Sequence, residues 1–339
     1  MKRDPARREL NRDPARREPN RDPALGEPGS LPFDAVYPER SRRAQGRFKF
    51  SQPVRAGKSG PAGPDLPSPA QAGYAKAGRQ PEFENPTLIV AWDEDAGKLG
   101  PKVIEYISRK LDAKSFCEVE PTGFFSIEGV VVENDIAQFP EGKFYYCGRK
   151  DLVVFKGNEP CFERHNFLNG VCDLAQHYCK IRQLYTLGGT VSPVAHTDSR
   201  RILAVFNQEQ IQQELTGLGL ENMNWQGPPA ISSFLLWVAQ RRAIPGVSLW
   251  TEIPFYLAAG EDFQAIKTTL SFLDKKFDLA LDFAELDERV GRQNAKIDRL
   301  RQDDAQIDRY IRMLESKLSL SADEQVELTK KVTEVLEGT

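Results

Sequence analysis

Between residues 86 and 282 the chain alternates between two hydrophobic periods. Thr87-Leu88-Ile89-Val90-Ala91-Trp92 is a continuous apolar run entered from Pro86, and Leu99, Val103, Ile104, Ile107 and Leu111 then recur at helical spacing. The run predicts a buried strand and the recurrence an amphipathic helix. Short segments rich in Val, Phe, Tyr and Ile follow at 129–132, 143–147 and 152–155, broken by Gly and Pro; they predict strands, some antiparallel. Helical spacing returns over 163–180, and a strand over 183–187 is expected to stop at Gly188-Gly189. A strand at 201–206, helices at 208–215 and 230–241, a buried strand at 247–250 and a helix at 262–277 complete the pattern. Strand-helix alternation of this kind predicts a three-layer α/β/α domain with a mainly parallel mixed sheet, because each parallel crossover needs a helix to return the chain.

Beyond Phe283 the period changes. Leu286, Val290, Ile297, Leu300, Ile307, Ile311, Leu314 and Leu318 fall three, four or seven residues apart with charges between them. They predict one long helix over 283–317, about 50 Å in length, with a narrow seam suited to a coiled coil, or a helical hairpin laid on its own domain. Ser321 and Glu324 form a capping-box signature for a second helix through Val326, Val332, Val335 and Leu336. The expected division is therefore 1–85, 86–282 and 283–339.

The first segment reads differently. Arg3-Asp4-Pro5-Ala6-Arg7-Arg8-Glu9 recurs as Arg12 to Glu18, and Arg21-Asp22-Pro23-Ala24 begins a third copy. A nine-residue period is too short for a solenoid. Residues 1–86 hold 14 of the 23 prolines, so a disordered tail is expected, or translated sequence upstream of the native start. The charged, proline-rich beginning lacks the apolar stretch of a signal peptide.

Charge separates in the same way. Residues 1–85 carry 17 Lys and Arg against 11 Asp and Glu, and the rest of the chain 29 against 38. An acidic body offers no cluster of cations for phosphate neutralisation, which argues against nucleic acid as a partner. No apolar run is long enough for a membrane helix, so a cytoplasmic location is expected.

Candidate chemistry is sparse, and no catalytic, cofactor-binding or metal-binding residue is assigned. Cys161, His165, Cys172, His177 and Cys179 match no zinc spacing, and Leu168, Cys172, Ala175 and Cys179 share one helix face as core residues do. The turn Asp93-Glu94-Asp95-Ala96-Gly97-Lys98-Leu99-Gly100 lies where doubly wound folds cradle phosphate, yet its three carboxylates would repel an anion, and helix capping is their expected use. His196-Thr197-Asp198 lacks a nucleophile to complete a triad. Gly188, Gly189, Thr190 and Glu252 remain as weak pocket candidates, because ligands in such folds sit beyond the carboxyl ends of strands.

Several of these segments together resemble the proteasome assembly chaperone 2 family. The residues that carry the resemblance are Leu88 to Trp92 with Gly97 and Gly100, Tyr185-Thr186-Leu187-Gly188-Gly189 with His196-Thr197, Ile231 to Ala239, Ile244-Pro245-Gly246-Val247-Ser248-Leu249, and Glu252-Ile253-Pro254-Phe255-Tyr256. The resemblance covers 86–282 and implies an α/β/α domain akin to the nucleoside phosphorylases, homo-oligomeric assembly, and no established enzymatic activity or cofactor. It points to a non-catalytic scaffold or assembly-chaperone-like protein with an unidentified protein partner. The alternative is a ligand-binding or ligase/hydrolase-type enzyme that uses the strand-end pocket. Relatives that engage the proteasome end in a hydrophobic-Tyr-any tripeptide; this chain ends Glu337-Gly338-Thr339, so docking by the tail is not expected.

Overall fold

The computed structural model describes residues 48–50, 83–120, 123–126, 131–133, 135–224 and 230–338, all within one compact unit, Pro38–Thr339. In chain order the elements are β1 (Phe48–Phe50), β2 (Thr87–Trp92), α1 (Leu99–Lys110), β3 (Lys114–Val119), β4 (Val131–Glu133), β5 (Ile136–Gln138), β6 (Gly142–Cys147) and β7 (Leu152–Gly157). There follow α2 (Arg164–Asp173), β8 (Gln183–Ser192), β9 (Ile202–Phe206), α3 (Glu209–Leu215), β10 (Leu220–Asn222), α4 (Ile231–Arg241), β11 (Gly246–Pro254) and α5 (Phe263–Phe277). The chain closes with α6 (Ala284–Asp303), α7 (Ala305–Glu315) and α8 (Ala322–Glu337). The nine-residue repeat and most of 1–85 lie outside the described residues, but Phe48–Phe50 pairs antiparallel with β3 and so belongs to the sheet.

The nine-stranded sheet runs β1-β3-β6-β7-β2-β8-β11-β9-β10. Its centre, β7-β2-β8-β11, is parallel; β6, β3 and β1 continue antiparallel on one side, and β9 runs antiparallel to β11 on the other. The sheet is therefore mixed, with four parallel strands at its centre and a further parallel pairing of the edge strand β10 with β9. Alternation across the pleat assigns the faces: Leu88, Val90 and Trp92 of β2 pack with α2 and α4, while Ile89 and Ala91 pack with α1 and α5. Both faces are covered by helices, as parallel strands require.

Two expectations are corrected. Strand β8 does not stop at Gly188-Gly189 but continues in register with β11 to Ser192, so the glycines are strand residues and not a turn. The helix expected over 283–317 is broken at Asp304, whose extended backbone (φ −131°, ψ 101°) ends α6 and whose carboxylate accepts from the Gln306 and Ile307 amides to cap α7. Arg301 braces the bend through Asp308 (3.0 Å) and Glu315 (2.9 Å).

The bend decides where the apolar seam goes. Leu286, Ile297, Ile307, Ile311, Leu314, Leu328 and Val332 are all buried in the same cluster as α1 and α5 of the body. Helix α8, opened by the Ser321–Glu324 capping box, packs against the Phe255–Leu257 turn that follows β11. Most of the stripe is thus buried within the chain, while Leu318 and Val326 stay exposed; each fully buried aliphatic side chain contributes about 1.5–3 kcal/mol as an upper bound.

Candidate functional site

The carboxyl ends of β2, β8 and β11 meet at the loop that enters α1. Asp95 holds that loop: one carboxylate oxygen accepts from the Gly100 amide in the first turn of α1 (2.7 Å) and the other from the Gly189 amide of β8 (2.7 Å). The capping role expected of the acidic turn is therefore filled by Asp95. Burial pushes its carboxyl up to about 6, with the amide donors acting against that shift. Its neighbours face elsewhere. Asp93 lies 3.5 Å from Lys156, and Glu94 accepts from Asn158 Nδ2 (2.8 Å) and the Glu159 amide (3.0 Å). Among the described residues no group of His, Cys, Asp and Glu is arranged to hold a metal ion.

The four pocket candidates sit in register across β8 and β11, with Gly188 opposite Trp250, Gly189 opposite Thr251 and Thr190 opposite Glu252. A Cβ on Gly188 would come within 2.8 Å of the Trp250 ring, and one on Gly189 within 2.4 Å of the Ala96 carbonyl oxygen. Gly189 lets the first loop lie directly on the strand, and Gly188 makes room for the Trp250 ring. Glu252 is buried, and both its oxygens are engaged: Arg201 donates through Nη2 (2.6 Å) and Nε (2.8 Å), and Ser192 Oγ donates at 3.1 Å. Those donors hold its carboxyl below the ordinary range despite burial. Thr190 is partly buried beside it.

Sequence reasoning missed a buried polar network next to this rim. Arg200 and Asp262 are 1% and 0% exposed at their side chains and pair at 2.9 Å. Arg200 also donates to the Ala195 (3.0 Å) and Asp198 (2.7 Å) carbonyls, and Asp262 caps α5 by accepting from the Ala265 amide at 3.1 Å. Nothing local in the sequence pairs residues 62 positions apart. Asp198 closes its own loop, accepting from the Ala195 amide and pairing with Lys317 at 2.7 Å, and makes no hydrogen bond to His196.

His196 is 2% exposed. Tyr256 Oη accepts from the His196 amide (2.6 Å) and shares a hydrogen bond with Nδ1 at 3.0 Å, while Nε2 has no hydrogen-bond partner among the described residues. Burial foremost lowers the imidazole to about 4; Arg301 and Arg200 add to the effect, while Asp298 and Glu315 oppose it. Because the unfolded chain takes up this proton near the ordinary value of about 6.5, the stability conferred by neutral His196 is complete above 6.5 and is lost as pH falls through 4. Between pH 7 and 5 the loss is about 2 kcal/mol. Asp95 acts with opposite sign, since its raised value means acidification relieves a cost. The difference between wild type and His196→Gln isolates the histidine: urea midpoints at the two pH values should show the wild type losing more stability than the variant, and parallel behaviour would refute the assignment.

Four of the five cysteines are buried, as expected of core residues, and burial pushes Cys147, Cys172 and Cys179 up to about 12, so they stay protonated. Cys172, Ala175 and Cys179 share one cluster with Leu168.

The comparisons with known proteins bear on this arrangement. A model of the PAC2 family matches residues 89–301, which takes in the sheet centre, the rim and α6. The chain belongs to the PAC2 family. Among solved structures this PAC2 chain is similar to a PAC2 family protein from Streptomyces avermitilis (21% identity, 64% of this chain and 96% of the other, TM-score 0.56). It is also similar to a proteasome-assembly chaperone homologue from Mycobacterium tuberculosis (16% identity, 66% and 99%, TM-score 0.58). A third similar structure is PbaB of Pyrococcus furiosus, an archaeal proteasome activator (22% identity, 66% and 96%, TM-score 0.55). At these identities the likeness establishes the fold. The curated proteins contain no match to the sequence. Helices α7 and α8 lie beyond the residues the family model matches.

Proposed function

We propose that this PAC2 chain is a non-catalytic, oligomeric scaffold or assembly-chaperone-like protein that works in the cytoplasm by binding another protein. Family membership supports the class, and the printed descriptions of the Mycobacterium and Pyrococcus relatives, a proteasome-assembly chaperone homologue and a proteasome activator, support the kind of task. The observation that carries the reading is an exposed aromatic pair on α4. Phe234 and Trp237 are 42% and 44% exposed one helical turn apart, and the His165 ring of α2 lies 5.8 Å from Trp237. Aromatic side chains held in solvent on a rigid helix are what a protein-protein interface uses as anchors. The engagement of Glu252 with Arg201 and Ser192 also supports a structural role for the carboxylate on which an enzyme reading would rest.

Native mass spectrometry of the full-length protein tests the proposal. A homo-oligomer is expected, and Trp237→Glu with Phe234→Glu should shift it to smaller species while circular dichroism stays unchanged. A monomer that captures no protein through these residues would overturn it.

A further inference from the structure

A cleft of about 550 Å³ separates the first loop and the turn after β11 from helices α6 and α8. It lies at the carboxyl ends of the parallel strands, where open α/β sheets place their ligands. Its volume falls within the range of small-molecule sites. Four cations line it, Lys98, Arg289, Arg292 and Lys296, against two carboxylates, Glu261 and Glu337. Among the described residues the lining thus has a formal excess of two positive charges, within a body whose residues beyond 85 are net acidic.

Three of the cations lie on one face of α6 at spacings of three and four, and the fourth comes from the body opposite. The α6 arginines have weak alternatives: among the described residues Arg289 pairs with Glu285 (3.0 Å) and lies over the Phe263 ring (5.5 Å), and Arg292 pairs with Glu288 (3.1 Å), the ion pairs being one-turn surface contacts that a ligand can replace. Lys296 donates to the Leu336 carbonyl (3.3 Å) and so offsets the negative end of α8 where it borders the cleft. Lys98 is exposed and sits at φ +48°, a left-handed conformation that disfavours a side chain. The carboxylates of the turn that argue against an anion in the sequence do not line the cleft: Asp95 is engaged by Gly100 and Gly189, Asp93 by Lys156, and Glu94 by Asn158 and the Glu159 amide.

We infer that this cleft binds a phosphorylated small molecule about the size of a nucleoside diphosphate, with Lys98 and Arg292 contacting the phosphates from opposite walls. The inference is independent of the scaffold reading, since oligomer mass and ligand binding are read separately. Calorimetric titration of the full-length protein with inorganic pyrophosphate and with ADP tests it. Binding of either probe below about 1 mM is expected, weakened about tenfold or more by Arg292→Glu. Lys98→Gly is the sharper variant: it relieves the left-handed backbone, so the melting temperature should hold or rise while affinity falls. Equal affinity for the two probes assigns recognition to phosphate, and tighter ADP binding extends it to the nucleoside; both support the site. No binding of either probe, or binding unchanged in both variants, overturns it.

Discussion

Arg200→Met should destabilise the protein by about 3–5 kcal/mol, because it leaves the carboxylate of Asp262 buried without its counter-ion. The side chains of both partners are at most 1% exposed, so no water replaces the guanidinium. The same substitution removes donors from the Ala195 and Asp198 carbonyls, which shape the loop between β8 and β9. That loop also holds the C-terminal helices, through Thr197 to Glu315 (3.1 Å) and Asp198 to Lys317 (2.7 Å), so the loss spreads to their docking. For a domain whose total stability is on the order of 5–15 kcal/mol the melting temperature should fall by about 10 °C. Adding Asp262→Asn should restore part of the loss, since a neutral Asn still caps α5 without a stranded charge. Denaturant titration of the single and double variants measures both effects; a single variant within about 1 kcal/mol of wild type would refute the account.

Gly189→Ala is the second large effect, at about 3 kcal/mol. The new methyl would stand 2.4 Å from the Ala96 carbonyl oxygen and 2.9 Å from Ile253 Cγ1, and a backbone neighbour cannot swing aside. Relief requires the first loop to lift from β8, which stretches the Gly189 amide away from Asp95 and loosens the start of α1. Gly188→Ala is the internal comparison. Its Cβ meets the Trp250 ring, a half-buried side chain that can shift, so a smaller loss is expected. Thermal unfolding of the two variants orders them, and equal losses would show that the contact with the first loop is not the cause.

The rim illustrates how far each source of information reaches. Gly188-Gly189 looks like a stop signal along the chain, because glycine favours turns wherever the neighbours are unknown. In the fold the same pair is needed inside a strand, since the first loop lies on Gly189 and the Trp250 ring on Gly188. Glu252 likewise reads as a lone acid near a strand end, and only the antiparallel packing of β9 against β11 brings Arg201 to it. The buried Arg200–Asp262 pair had no local signal at all, because ion pairing depends on distance in space.

The hydrophobic periods by themselves determined the main strands and helices and the α/β/α layering that their alternation implies, while the ordered motifs from Leu88 to Tyr256 carried the resemblance to the family. Element type arises from interactions within about a dozen residues, and the pattern encodes it directly. Tertiary structure decided the extent of β8, the bend at Asp304, the internal burial of the α6–α8 seam and the gathering of Lys98 with the α6 cations. Each of these turns on what a face or charge meets after the chain has folded back, and a helical stripe has the same spacing whether it covers its own domain or another molecule.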